Sequence, residues 1–177
     1  MVIFLCNSSC NRQNSKNVDI NPNWTKRNLT SDWTIYLPKN FKDSALIGID
    51  SQPGFIRCES DSILLNFDSG ADVILKGKLS GNYCDFSNQI KIAKGEIEND
   101  DQDYFRQEDK IYNLKIDTID KKVAIVRTPI LKGKNRVELQ IRDCESGRWL
   151  SIYGENFSKE KENLVLEIFK TIEFTDR

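Results

Sequence analysis

Residues 158–174, SKEKENLVLEIFKTIEF, constrain the fold more than any other stretch of the chain. Leu164, Val165, Ile168, Phe169 and Ile172 recur at the helical period and form one apolar stripe. Ser158 is placed to cap the first turn, its hydroxyl accepting from an otherwise unpaired backbone N–H. Glu160 and Glu162 set negative charge at the positive end of the helix. From Thr171 the period drops to two, with Ile172 and Phe174 on one side, so the helix runs into a short strand. A helix of about three turns is marginal alone in water. It needs a sheet to cover, and the preceding residues read as one.

Residues 33–37 alternate, with Trp33, Ile35 and Leu37 on one face, and Pro38 stops them. Residues 45–49 form a second short apolar piece. Residues 55–58 and 62–67 read as a hairpin across Glu59, Ser60 and Asp61, with a turn following at Asp68-Ser69-Gly70. Residues 73–79, 89–97 and 111–119 continue the strand pattern. Residues 122–127 are apolar almost throughout, and Pro129 ends them. Residues 136–142 alternate most cleanly, with Val137, Leu139 and Ile141 against Arg136, Glu138, Gln140 and Arg142. A turn at 143–147 leads to a last strand at 148–153. The predicted class is α+β, a mostly antiparallel sheet covered by a C-terminal helix.

Composition narrows the chemistry. Lys and Arg number 26 against 27 Asp and Glu, for a net charge of −1, so no bulk attraction to nucleic acid follows. The local basic set Lys121, Lys122, Arg127, Lys132, Lys134 and Arg136 reads as a solvated rim. The chain contains 0 histidines. That excludes Ser-His-Asp and Cys-His catalysis, the histidine-containing zinc and iron sites, and a histidine pH switch. A carboxylate pair, a Lys or Tyr base, an unassisted thiol, or no catalysis remains. Residues 98–110 carry carboxylates at alternate positions, as hard-oxygen calcium ligands do. They lack the glycine and terminal glutamate of an EF-hand loop and read as a solvated loop, so no metal and no cofactor are predicted.

The start of the chain bears on localisation. MVIFL is a short apolar run followed by Cys6 and by Asn7-Ser8-Ser9-Cys10. This resembles the end of a bacterial lipoprotein signal peptide, in which the cysteine after small residues becomes the acylated first residue. The resemblance implies lipidation at Cys10 and a true start upstream; a buried N-terminal strand is the other reading. Residues 11–31 are polar and Asn-rich and read as a flexible linker. The expected organisation is a signal-peptide remnant at 1–10, a linker at 11–31 and a single α+β domain at 32–177. A domain of about 150 residues buries roughly 68–70% of its unfolded surface, enough for a core without metal. Past Cys10, three cysteines remain. Cys58 reads as a small buried hydrophobe. Cys84 and Cys144 lie beside turns and are the candidate disulfide pair, against three reduced thiols.

Three stretches resemble small lipoproteins of the Bacteroidota: Gly48-Ile49-Asp50-Ser51 with Gly54 after it; residues 63–70, ending Phe67-Asp68-Ser69-Gly70; and residues 150–174. The closing helix and IFKTIEF also look like the end of PsbP/Mog1-type α/β/α sandwiches, domains that act mainly by binding proteins. Asp43-Ser44-Ala45, Asp61-Ser62-Ile63 and Asp117-Thr118-Ile119 look like the O-glycosylation tripeptide of the same bacteria. These resemblances imply a lipid-anchored, non-enzymatic accessory module of the cell envelope, partnered by the membrane and by an envelope protein. The alternative function is a small hydrolase acting on glycans through the carboxylates Asp50 and Asp68, which otherwise bond to their own turns. Trp149 and Tyr153, on one strand face, are the candidate aromatic contacts, with core packing as their other reading.

Overall fold

The structure, a computed structural model, describes residues 20–71, 112–130, 136–143 and 145–175. Along the chain these form β1 (Trp24–Asn28), β2 (Trp33–Pro38), β3 (Phe41–Ala45), β4 (Gly54–Cys58), β5 (Leu64–Ala71), β6 (Tyr112–Ile119), β7 (Lys122–Pro129), β8 (Val137–Arg142), β9 (Arg148–Gly154), α1 (Lys159–Phe169) and β10 (Glu173–Phe174). A seven-stranded sheet runs β3-β4-β5-β9-β8-β7-β6, and a three-stranded sheet runs β1-β2-β10. Among the described residues every pairing is antiparallel. The fold is therefore α+β and mostly antiparallel, with a C-terminal helix, as the residue pattern predicts.

The helix forms where its stripe demands. The Ser158 hydroxyl accepts from the Lys161 N–H at 3.4 Å, with Glu160 and Glu162 in the first turn. Val165, Ile168 and Phe169 are buried. At the far end, the Thr171 hydroxyl accepts from the Tyr36 N–H at 3.0 Å and donates to the Ile168 carbonyl at 2.7 Å, which fastens the helix to β2. The closing strand then pairs with β2, Phe174 opposite Trp33, and the two rings meet edge to face at 4.9 Å. One core cluster joins this unit to the inner face of the large sheet. It takes Trp33, Ile35 and Leu37 from β2, Leu65 and Phe67 from β5, Val137, Leu139 and Ile141 from β8, and Leu150 and Ile152 from β9. Cys58 is buried in the same cluster as a free thiol.

Gly54 shows how closely the inner face is filled. A Cβ there would lie 2.2 Å from Phe67 Cζ and 2.5 Å from the Ser44 carbonyl oxygen. Backbone on one side and a core ring on the other leave nowhere to move. Gly54→Ala is expected to cost about 1–3 kcal/mol in urea unfolding, and a change inside about 0.5 kcal/mol would mean the strand pair yields freely.

The structure departs from the residue pattern in three places. Asp68-Ser69-Gly70 does not turn; it continues β5, opposite Ser151, Leu150 and Trp149 of β9. A turn-prone triplet is held extended by a partner distant in sequence, which local reading does not see. The apolar residues 46–49 do not extend a strand; β3 ends at Ala45 and an exposed connection follows. The spacer expected over 11–31 overlaps β1, whose residues pair with β2 from Trp24↔Pro38 to Asn28↔Thr34. That strand is exposed along most of its length, so it carries no alternation to betray it. The strands read at 73–79 and 89–97, the acidic run 98–110, Cys10, Cys84 and Cys144 lie outside the described residues.

Candidate functional site

Residues directly opposite in an antiparallel pair share a face. The outer face of the large sheet can therefore be laid out from its register. Asn66, Tyr153, Glu138 and Arg127 form one row across β5, β9, β8 and β7. Asp68, Ser151 and Gln140 form the next, and Gly70, Trp149 and Arg142 the one after. Asp68, Trp149 and Tyr153 thus lie on one surface of adjacent central strands. All three are half-buried, and the core is filled from β9 by Leu150 and Ile152 on the opposite face.

The groups on this face are unequally satisfied. Tyr153 carries the Arg136 guanidinium over its ring at 4.2 Å. The Trp149 ring lies over Gly70, where an added Cβ would come within 3.0 Å of it. Glu138 is only 7% exposed and Arg127 only 6%. Glu138 accepts from the Gln140 amide at 2.9 Å and stands 3.4 Å from Arg136 and 3.8 Å from Arg127. Asp68 Oδ1 is buried without a hydrogen-bond partner among the described residues. Asp68 sits mid-strand in β5, not at a strand end beside a turn as its sequence context suggests. Asp50 is exposed in the connection between β3 and β4.

The basic set read as a solvated rim is organised differently. Arg127 and Arg136 flank Glu138, and Lys122 bonds Asp143 Oδ1 at 2.8 Å while lying 4.8 Å from the centre of the Phe174 ring. Lys132 and Lys134 lie outside the described residues. The missed information is the partner strand, since Arg127 faces Glu138 only through the β7–β8 register.

Asp143 closes the turn between β8 and β9. Its carboxylate accepts from the Ser146 N–H at 3.2 Å, from the Ser146 hydroxyl and from Lys122, and Gly147 takes φ 73° there. Burial pushes this carboxyl up, but the hydrogen bonds from Lys122 and Ser146 outweigh it and hold it below its ordinary 3.8. A carboxyl depressed by folding stabilises the native state above its unfolded value and ceases to do so as pH falls through the folded one. Acid titration from pH about 4 downward is expected to destabilise the wild-type protein, and Asp143→Asn to lose stability less steeply over that window. Parallel slopes for the two proteins would remove Asp143 from the acid limb.

The connection 46–53 is the feature that sequence reading missed. Leu46, Ile47 and Ile49 are exposed, the two isoleucines fully, at 103% and 100%. The connection is nonetheless held. The Leu46 N–H donates to the Pro53 carbonyl at 2.7 Å, and the Gln52 N–H donates to the Ser69 carbonyl at 2.7 Å. The Gln52 side chain accepts from the Ser31 N–H at 3.0 Å and bonds the Ser31 hydroxyl at 3.1 Å. Gly48 closes the bend, since a Cβ there would lie 2.2 Å from the Ser51 carbonyl oxygen. Gly48, Asp50-Ser51 and Pro53 are the signals that could have marked this run as a loop.

Among the described residues, no group of three or more Cys, Asp and Glu side chains is arranged to hold a metal ion. Among them also, no helix is long and apolar enough to cross a membrane. Comparison with protein-family models, curated proteins and solved structures yields no match.

Proposed function

We propose that the protein is a non-enzymatic binding module of the cell envelope, held at the membrane by a lipid on Cys10. It meets its partners, the membrane among them, through side chains displayed on a rigid β scaffold. The observation that carries the binding part is the 46–49 tip. Apolar side chains of this size are normally withdrawn from water, and a hydrogen-bonded base that presents them outward favours contact over catalysis. The anchor follows from the resemblance at residues 6–10. The test is intact-mass analysis of the chain extracted from its own envelope, where a lipid-modified product beginning at Cys10 is expected. Cys10→Ala should then release the protein from membranes, and an unmodified mass for the wild type would sink the anchored reading. A PsbP/Mog1-like α/β/α sandwich is the finer fold within this proposal. It requires helical cover on the outer face as well as α1 on the inner one, which an experimental structure of the whole chain would reveal.

One observation favours a second reading, hydrolysis of a glycan. Among the described residues Asp68 Oδ1, on the same face as Trp149, has no hydrogen-bond partner, as a carboxyl group that receives a ligand would. Among the described residues the nearest carboxylate on that face by register is Glu138, two strands across and one row along, about 12 Å away at the usual spacings and already engaged by Gln140. Loss of glycan cleavage in Asp68→Asn, starting from a measurable wild-type rate, would move the conclusion to this reading.

A further inference from the structure

We infer that the 46–49 tip inserts into the interfacial layer of a lipid bilayer and sets the orientation of the domain on the membrane. The inference deepens the anchored reading above and rests on it. Leu46, Ile47 and Ile49 project from a bend tied at its base to Ser31, Pro53 and Ser69. Their order is fixed before any contact is made, so docking sacrifices little conformational freedom.

Area decides between a bilayer and a protein as the occupant. Three aliphatic side chains present roughly 200–400 Å² of apolar surface. A standard protein interface covers about 800 Å² on each partner. A convex tip of this size falls short of that, whereas a bilayer needs no complementary shape and accepts apolar area wherever it is offered. The charge is consistent with an apolar mode. Residues 43–53 contain no Lys or Arg, and their charges are Asp43 and Asp50, so anionic lipid should not strengthen the contact.

The geometry of attachment permits it. About ten residues separate Cys10 from Ile20, the first described residue, and these span at most about 33–36 Å. β1, five residues and about 17 Å long, separates that entry from the Ser31 turn that holds Gln52. The tether can therefore exceed the length of β1, the strand that lies between it and the base of the tip. Once one end is anchored, the second contact is intramolecular and weak insertion suffices.

The test uses the full chain carrying an N-terminal oligohistidine tag, held on phosphatidylcholine vesicles that contain a nickel-chelating lipid. Ile47→Trp places a fluorophore at the tip, and brominated phosphatidylcholine quenches indoles that enter the bilayer. The emission of the introduced indole, taken as the difference from the wild-type protein, is expected to shift to the blue and to be mostly lost. Ser60→Trp, at the exposed turn between β4 and β5, should lose none. Replacing part of the lipid with phosphatidylglycerol should leave the quenching unchanged or reduce it. Absence of quenching at position 47 overturns the inference, whether the tip proves free, self-associated in sedimentation, or crosslinked to a protein. The tag makes this outcome independent of acylation. An unmodified Cys10 with a quenched tip would sink the anchor and leave the insertion standing.

Discussion

Phe169→Ala is expected to lower the stability of the protein by about 3–5 kcal/mol. Phe169 is the last residue of α1 and is 1% exposed, in the cluster that joins the helix, β2 and the large sheet. Removing the ring opens a cavity where it is hardest to close. On one side Thr171 fixes the helix end to Tyr36, and on the other the strands are locked by their ladder. The helix cannot slide inward without breaking that tie. For a chain of this length, each kcal/mol is worth about 2–4 °C, so the midpoint should fall by roughly 6–20 °C. Urea unfolding should show a lower midpoint with an unchanged slope, the mark of lost stability without a changed unfolding unit. Glu167→Ala, on the exposed side of the same helix, should stay within about 0.5 kcal/mol. A loss well below 1 kcal/mol for Phe169→Ala would separate the helix from the core.

What made the helix legible is that its evidence is local. The stripe, the cap and the switch of period all fall within residues 158–174, and each leads to the same structure. The same holds for β2 and β8, where apolar and polar residues alternate along one strand, although Thr34 and Glu138 on the polar side are buried as well. Asp68-Ser69-Gly70 failed because its conformation is decided by β9, many residues away. The hairpin between β6 and β7 was half legible. Its strands were, but its two-residue turn at Asp120 and Lys121 takes φ values of 46° and 62° without the usual glycine. The run 46–49 failed for the opposite reason. Its apolar composition suits a covered strand, whereas the structure places those side chains in water. An exposed apolar tip looks like a strand to any reading that assumes hydrophobic residues go inside. Of the candidate residues, Trp149 and Tyr153 were legible as a pair on one face, because period two fixes that. The neighbours that give the face its character, Arg136 over Tyr153 and Gly70 under Trp149, come from other strands.

The largest electrostatic effect belongs to Glu138. It lies between Arg127 across β7 and Tyr153 across β9, with Arg136 stacked on that tyrosine and reaching back to its carboxylate. Both members of the Glu138–Arg127 pair are more than nine-tenths buried, while the Arg136 side chain is 38% exposed. Solvent therefore screens one cation and not the other. Desolvating such a pair costs about as much as its attraction returns, so its presence is weak evidence of stability. Its disruption is another matter. Glu138→Ala withdraws the negative charge between two guanidiniums and is expected to cost about 3–5 kcal/mol. Glu138→Gln, which keeps the shape and a hydrogen-bonding group for Gln140, should retain part of that and separate charge from packing. Replacing both Glu138 and Arg127 with leucine should recover most of the loss, because neither buried charge then remains. Urea unfolding of the wild type, Glu138→Leu, Arg127→Leu and the double variant gives the coupling directly. Additive losses in the double variant, or a Glu138→Ala cost below about 1 kcal/mol, would show that the pair contributes as an exposed one does. The expected non-additivity would make the outer face a preorganised surface. Its central charges would be fixed by one another, with Asp68 and Trp149 standing beside them.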